Sequence, residues 1–285
     1  MQILNNIIQQ LQLQNHALIM TYRQKCKCMA IHLSFTPITR NSVDLVFDLI
    51  NSILFQQERA TFKEHPDDVN VIIESGGGDA DAAFHIAKVL DTHFKGTIRY
   101  IIPRFAKSAA TLLVCGGNKI VMGETSELGP LDPQIPQNDG SYISAKAVQS
   151  TLDLIKKYLS EGDKHGLELA TILSSRLNPL ILGQYESTLQ IAQEYQEELL
   201  HLRMFTKSED VKKIVAKFAT GYTHHSRVIN CKEAKEIFGE DKVELMPCNS
   251  EEWQTVWQVS KNNRTIADLI GVLQLINKIN PQTNR

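Results

Sequence analysis

Two small-residue turns, each set between an apolar β-branched run and a helical pattern, constrain the fold of this chain more than any other feature. Val71-Ile72-Ile73 has the composition of a buried strand, and it stops at Ser75-Gly76-Gly77-Gly78 before a helical pattern opens. Ile98 to Ile102 repeats the device: it ends at Pro103 and turns through Ala106-Lys107-Ser108-Ala109-Ala110 into a second apolar helix. Lys119 to Met122 supplies a further strand after Gly116-Gly117-Asn118. Strands alternating with helices at this spacing imply right-handed crossovers and a parallel sheet. The carboxyl-end turns of neighbouring parallel strands lie side by side, where open α/β folds bind their ligands.

Each turn has a plain and a chemical reading. Glycines after a strand let backbone N–H groups approach a ligand without Cβ interference, beside the positive end of the next helix. By themselves they equally suit a turn or a phosphate loop, although the Gly-x-Gly-x-x-Gly spacing fails after Gly78 and the Lys-Ser/Thr ending of a P-loop is absent. A serine among alanines at a helix start has the composition of an N-cap. It also fits a nucleophile elbow, in which a sharp turn exposes the hydroxyl. Read together, the turns place Ser108 opposite the amides of Gly77 and Gly78, as a nucleophile facing an oxyanion hole.

The succession of apolar strand, Gly-Gly, helix, strand, Pro, Ser-Ala-Ala-Thr-Leu and then Glu-Leu-Gly-Pro-Leu-Asp-Pro-Gln resembles the Clp protease/crotonase superfamily. Within it the chain is most similar to the serine dehydrogenase proteinases, relatives of signal peptide peptidase A, from about His32 to Gln258. The resemblance implies an α/β fold of repeated β-β-α units with a mainly parallel sheet and helical C-terminal additions. It implies peptide-bond hydrolysis through an acyl-enzyme at Ser108, with Gly78, Gly77 beside it, and Ala109 as the oxyanion hole. Clp proteases carry a histidine about two dozen residues after the serine, where this chain reads Gly129-Pro130-Leu131-Asp132-Pro133. Signal peptide peptidase relatives use a lysine, and Lys146 stands at a suitable spacing for a partly buried base of lowered pKa. Asp132 would orient the base or cap the loop; His85 and His224-His225 are candidates for a base outside the family pattern. Lys107 reads as a surface or substrate-contacting charge. The resemblance implies peptide or protein substrates, a homo-oligomer and no cofactor; no pyridoxal-phosphate lysine motif or nicotinamide fingerprint is readable. A crotonase-type acyl-CoA enzyme and a catalytically inactive scaffold of the same fold remain the alternatives.

Composition narrows the partners. At 285 residues, 42% hydrophobic and 22% charged, the chain is that of a folded protein, and its net charge of −2 offers no field for nucleic acid. The cysteines at 26, 28, 115, 231 and 248 have no framework spacing, which fits a reducing cytoplasm. Cys26-x-Cys28 is half a metal pattern without a second half, and Cys115 reads as a small core residue. No run reaches the ~18 apolar residues of a membrane span, so a soluble protein is expected.

In chain order, the pattern divides into a helical N-terminal extension (1–28), a catalytic core (29–143), a helical and mixed part of the same domain (144–260) and a final helix with its tail (261–285). Helical stripes are read at Ile3–Leu13, Ile38–Gln57, Asp79–Phe94, Ala145–Leu159, Leu167–Leu177, Ile181–Phe205, Ser208–Phe218, Cys231–Phe238 and from Lys261 onward. Strands are read at Met29–Phe35 and in the three runs above. Asn230, with Glu233 three residues on, has the form of a capping box.

Overall fold

Alternation along the strands decides which helices lie on which face. In β2 (Val69–Ser75), the residues Val69, Val71 and Ile73 join one buried cluster while Ile72 joins another. Both faces of this strand are therefore covered, as a near-continuous apolar run requires. The computed structural model describes residues 1–35, 37–59, 67–131, 134–136, 142–161, 164–176, 179–222 and 227–279. The chain runs α1 (Gln2–Cys26), β1 (Met29–Phe35), α2 (Arg40–Arg59), β2, α3 (Ala80–His93), β3 (Ile98–Ile102), β4 (Phe105–Ala106), α4 (Ala109–Val114), β5 (Lys119–Met122) and β6 (Glu127–Leu128). There follow a hairpin of β7 (Gln134–Pro136) and β8 (Tyr142–Ser144), then α5 (Ala145–Glu161), α6 (Lys164–Arg176), α7 (Pro179–Arg203), α8 (Ser208–Thr220), α9 (Cys231–Phe238), β9 (Val243–Leu245) and α10 (Glu251–Ile279).

All pairings in the main sheet are parallel, and β2 is its hub. One edge of β2 takes β1 in register from Met29↔Val69 to Phe35↔Ser75. Its other edge is shared: β3 pairs with Val69 to Ile72, and β4 takes over at Ser75↔Ala106. The changeover falls at Pro103, which cannot donate to a ladder. Beyond it the sheet forks, β3 continuing to β5 and β9, β4 to β6. The fork holds the glycine turn and the serine turn side by side.

The front face packs Ile86, Leu90, Leu112, Leu113 and Phe218 against the sheet, from α3, α4 and α8. The rear face is covered by α1 and α10, through Tyr22, Trp253 and Val256 on Ala30, Ile72, Ile101 and Val121. Helix α10 lies so close that a Cβ on Gly123 would overlap the Trp253 ring.

The strand readings Met29–Phe35, Ile98–Ile102 and Lys119–Met122 match β1, β3 and β5, and Asn230 caps α9 by accepting from Glu233 N at 3.0 Å. Two helices differ from the sequence expectation. The stripe at Ile3–Leu13 extends to Cys26, because Tyr22 is buried against the sheet and hydrogen-bonds Glu252 of α10. The final helix begins at Glu251 rather than Lys261, and its first turns pack Trp253 and Val256 on the rear of the sheet. The edge strand β9 and the antiparallel bridge between Leu128 and Ile229 have no local signal of their own.

Candidate active site

The glycine turn begins with a hydrogen bond inside itself. Ser75 is fully buried; its hydroxyl accepts from Gly77 N at 3.1 Å, and its carbonyl accepts from Lys107 N at 3.0 Å. One residue therefore ties both turns together. The sequence reading passed over it, although a serine two residues before a glycine is a known local turn former.

Gly77 and Gly78 adopt φ values of 105° and 145°, which L side chains rarely tolerate. A Cβ on Gly77 would stand 2.7 Å from Lys107 O and 2.8 Å from Ser108 Cβ, so the absence of a side chain here lets the serine turn close on the glycine turn. At Gly78 a Cβ would overlap the backbone of Ile38. Ile38 N donates to Gly77 O at 2.8 Å and Asp79 N donates to Ile38 O at 2.9 Å. In such a parallel bridge the intervening residue aims its own N–H the other way, so the Gly78 amide points toward the β4 side and the serine turn. It has no acceptor among the described residues.

Further along, the amides of Asp79, Asp81 and Ala82 are occupied. Asp79 caps α3, its Oδ1 accepting from Asp81 N at 2.8 Å and Ala82 N at 3.2 Å. With the helix end filled by its own carboxylate, the phosphate-loop reading of the glycine run has no free donor set. Among the described residues, the Gly78 N–H keeps no acceptor on the Ser108 side, whereas that of Gly77 is given to Ser75.

Ser108 has φ 52° and ψ −120°, a region that is otherwise almost the preserve of glycine. It stands at the N-cap position of α4, yet its hydroxyl makes no capping hydrogen bond, and it is partly accessible. A serine held in a strained turn whose side chain does not cap the helix is the geometry of a nucleophile elbow. Such a conformation costs ~1–3 kcal/mol, and burying a single leucine returns ~1.5–3 kcal/mol. The burial of Leu112, Leu113 and Val114 in the same short helix is enough to hold it. Beside it, Ala109 N is a first-turn amide with no acceptor among the described residues.

Around this centre the chain is pinned by Thr111, fully buried, whose hydroxyl reaches Ala106 O at 2.7 Å and Gly129 O at 2.9 Å. Gly129 packs on the Lys107 side chain, and a Cβ there would stand 3.0 Å from Lys107 Cβ. Lys107, read from the sequence as a surface or substrate-contacting charge, pairs with Glu127 at 3.0 Å and is 19% exposed, so it is not freely solvated. β4 and β6 are adjacent, which brings the two charges together. His85 is exposed on α3. Cys115 is a core residue, and burial pushes its thiol up to about 12.

Asp132 and the His224-His225 pair lie outside the described residues, as does the side chain of Lys146. The backbone at Lys146 is the second residue of α5. β8 returns antiparallel along β7, with Ser144 opposite Gln134, and leads directly into α5.

A family model described as ClpP-like SDH-type serine proteinase matches residues 5–245. The chain belongs to this family. Two uncharacterized proteins of Methanocaldococcus jannaschii are similar, one 33% identical over 179 residues (63% of this chain and 54% of that protein), the other 28% identical over 169 residues (59% and 50%). The chain therefore spans about half the length of the curated relatives it matches. Among solved structures, a mutant of the 1510-N membrane-bound stomatin-specific protease superposes with a TM-score of 0.47 at 16% identity, covering 77% of this chain and 79% of the other. Among the described residues of this family member, no helix is long and apolar enough to cross a membrane. Nor does any group of three or more His, Cys, Asp or Glu side chains stand together as a metal site among them.

Proposed function

We propose that this chain is a serine peptidase that forms an acyl-enzyme at Ser108. The observation that carries the reading is the strained conformation of Ser108, with its hydroxyl unused for capping. Ser108 Oγ attacks the substrate carbonyl, and the oxyanion is received by the N–H groups of Gly78 and Ala109. Gly77 contributes shape, since its own amide already donates to Ser75. Lys146, as the neutral amine, takes the serine proton and returns it to the leaving amine; its place at the start of α5, which follows the β7–β8 hairpin, is consistent with this assignment. Asp132, in the connection between Leu131 and β7, orients that base or holds the loop. Water then hydrolyses the ester by the reverse sequence. Family membership favours peptide or protein substrates over acyl-CoA thioesters.

Self-association belongs to the same proposal. Apolar side chains are left exposed on α1 (Ile3, Leu13) and on α5 and α6 (Leu159, Leu167, Leu169, Ile172), a distribution that suits burial between copies. The cytoplasm, as a reducing compartment, is consistent with thiols that are all free.

Labelling with a fluorophosphonate tests the nucleophile: the wild-type chain is expected to label at Ser108 and Ser108→Ala to remain unlabelled. Lys146→Met should keep the fold and slow acylation by ~10³-fold or more. The remaining pH dependence in the wild type should show an apparent pKa well below the ~10.4 of free lysine. Unlabelled but folded wild-type protein would sink the acyl-enzyme reading and leave the scaffold alternative.

A further inference from the structure

At the far end of the sheet from Ser108, α1 passes into β1 through Cys26-Lys27-Cys28. Lys27 has φ 51° and ψ 30°, a left-handed turn that folds the two flanking cysteines onto one side. Their sulfurs stand 2.8 Å apart, within about 1 Å of the ~2.05 Å length of a disulfide bond. Arg23 braces the turn, its Nε and Nη2 donating to Ala30 O at 3.0 and 2.7 Å. Both thiols are half-buried rather than sealed. Nothing in the serine chemistry uses them, and no third metal-ligating side chain joins them among the described residues.

We propose that Cys26 and Cys28 are a thiol–disulfide exchange site that takes low-molecular-weight disulfides of the glutathione class. The roles are unequal. The thiol of Cys26 is lowered to about 7, first by the hydrogen bond from Cys28, against partial burial and the nearby Glu252. Cys28 is raised by the same hydrogen bond, by burial and by the thiolate beside it, with Arg99 opposing and Asp68 adding to the shift. Cys26 is thus the attacking thiolate and Cys28 the proton-holding partner. Cys26 Sγ attacks one sulfur of the small disulfide, whose other half leaves as a thiolate and is protonated by solvent. Cys28 then gives its proton to solvent, attacks Cys26 Sγ and expels the second half. The protein dithiol is oxidised by two electrons to the Cys26–Cys28 disulfide while the small disulfide is reduced to two thiols. The bond fastens the end of α1 to the start of β1.

The test uses the full chain, incubated with oxidised glutathione at neutral pH and read by peptide mass spectrometry. The expected product is a peptide spanning 26–28 that has lost two hydrogens and carries no glutathione. Cys28→Ser should accumulate a glutathione adduct on Cys26. In the wild-type chain, limiting iodoacetamide should alkylate Cys26 before Cys28, following the difference in thiolate character. The exposed Cys248 serves as the internal comparison. The proposal is overturned if the pair stays reduced while Cys248 is modified, if Cys28→Ser traps no adduct, or if the pair instead takes up zinc stoichiometrically and resists oxidation. Because the site lies at the opposite end of the strands from Ser108, fluorophosphonate labelling is unaffected by either outcome, and the two proposals fail independently.

Discussion

The two faces of the sheet treat polar groups in opposite ways. On the rear face, buried polar side chains are paired one with another. Asn15 of α1 donates to Asn263 at 2.9 Å and accepts from Asn262 at 2.9 Å, and the Asn263 amide donates to Nε2 of His32 at 2.8 Å. Glu74, buried one residue before Ser75, takes the Ser260 hydroxyl and Arg264 Nη1. On the front face, in the turns that follow β2 and β4, the Gly78 and Ala109 amides and the Ser108 hydroxyl have no partner among the described residues, and the backbone is strained. An unsatisfied polar group is costly to keep at a buried edge. Under the proposed function, a substrate carbonyl would supply the acceptor for these open donors beside Ser108, whereas Glu74 on the rear face is already paired.

The contrast can be broken in order of expected effect. Gly78→Ala places a methyl group into Ile38 and forces an alanine to φ 145°, so the donor is displaced. Acylation measured with an activated ester should fall by ~10²- to 10³-fold. A variant with wild-type rate would remove Gly78 from the oxyanion hole.

The rear face should fail in acid. Burial lowers His32 to about 4, so between that value and the ~6.5 of the unfolded chain the unfolded state binds a proton that the native state does not. Stability is therefore lost as pH falls through this window, by on the order of 2–3 kcal/mol in total. Urea titrations from pH 7 to 4 should show this slope in the wild type and a shallower one in His32→Gln; equal slopes would mean the imidazole accepts its proton in the native state.

Ser75→Ala sharpens the link between the turns. It removes the hydroxyl that fixes Gly77 N while leaving the buried volume nearly intact. The expected loss is about tenfold in acylation rate with KM unchanged, the size of one hydrogen bond of ~1–1.5 kcal/mol. A change in KM alone would place Ser75 in substrate binding instead.

The smallest effect concerns strain itself. Ser108→Gly should unfold at higher denaturant than Ser108→Ala, by ~1 kcal/mol, because relief of the φ 52° conformation exceeds the entropy glycine costs in the unfolded chain. If alanine is as stable as glycine there, the serine turn carries no stored strain and differs from the glycine turn only in composition.

Much of this molecule is written locally. The β-branched runs at 69–75 and 98–102, the glycines before α3 and the serine before α4 announce a parallel sheet with two functional turns, since period, turn chemistry and capping act over a few residues. The Asn230 cap was legible for the same reason. What the tertiary structure alone decided depends on partners distant in sequence. Gly78 rather than Gly77 keeps its amide free because Ile38 fixes the alternation of the bridge and Ser75 claims the other donor. Lys107 is held by Glu127 because β4 and β6 pair, and α1 runs on to Cys26 because α10 and the rear of the sheet bury Tyr22. Local preference sets which elements form, whereas free donors and buried charges are properties of packing, where each group's state depends on which neighbour reaches it first.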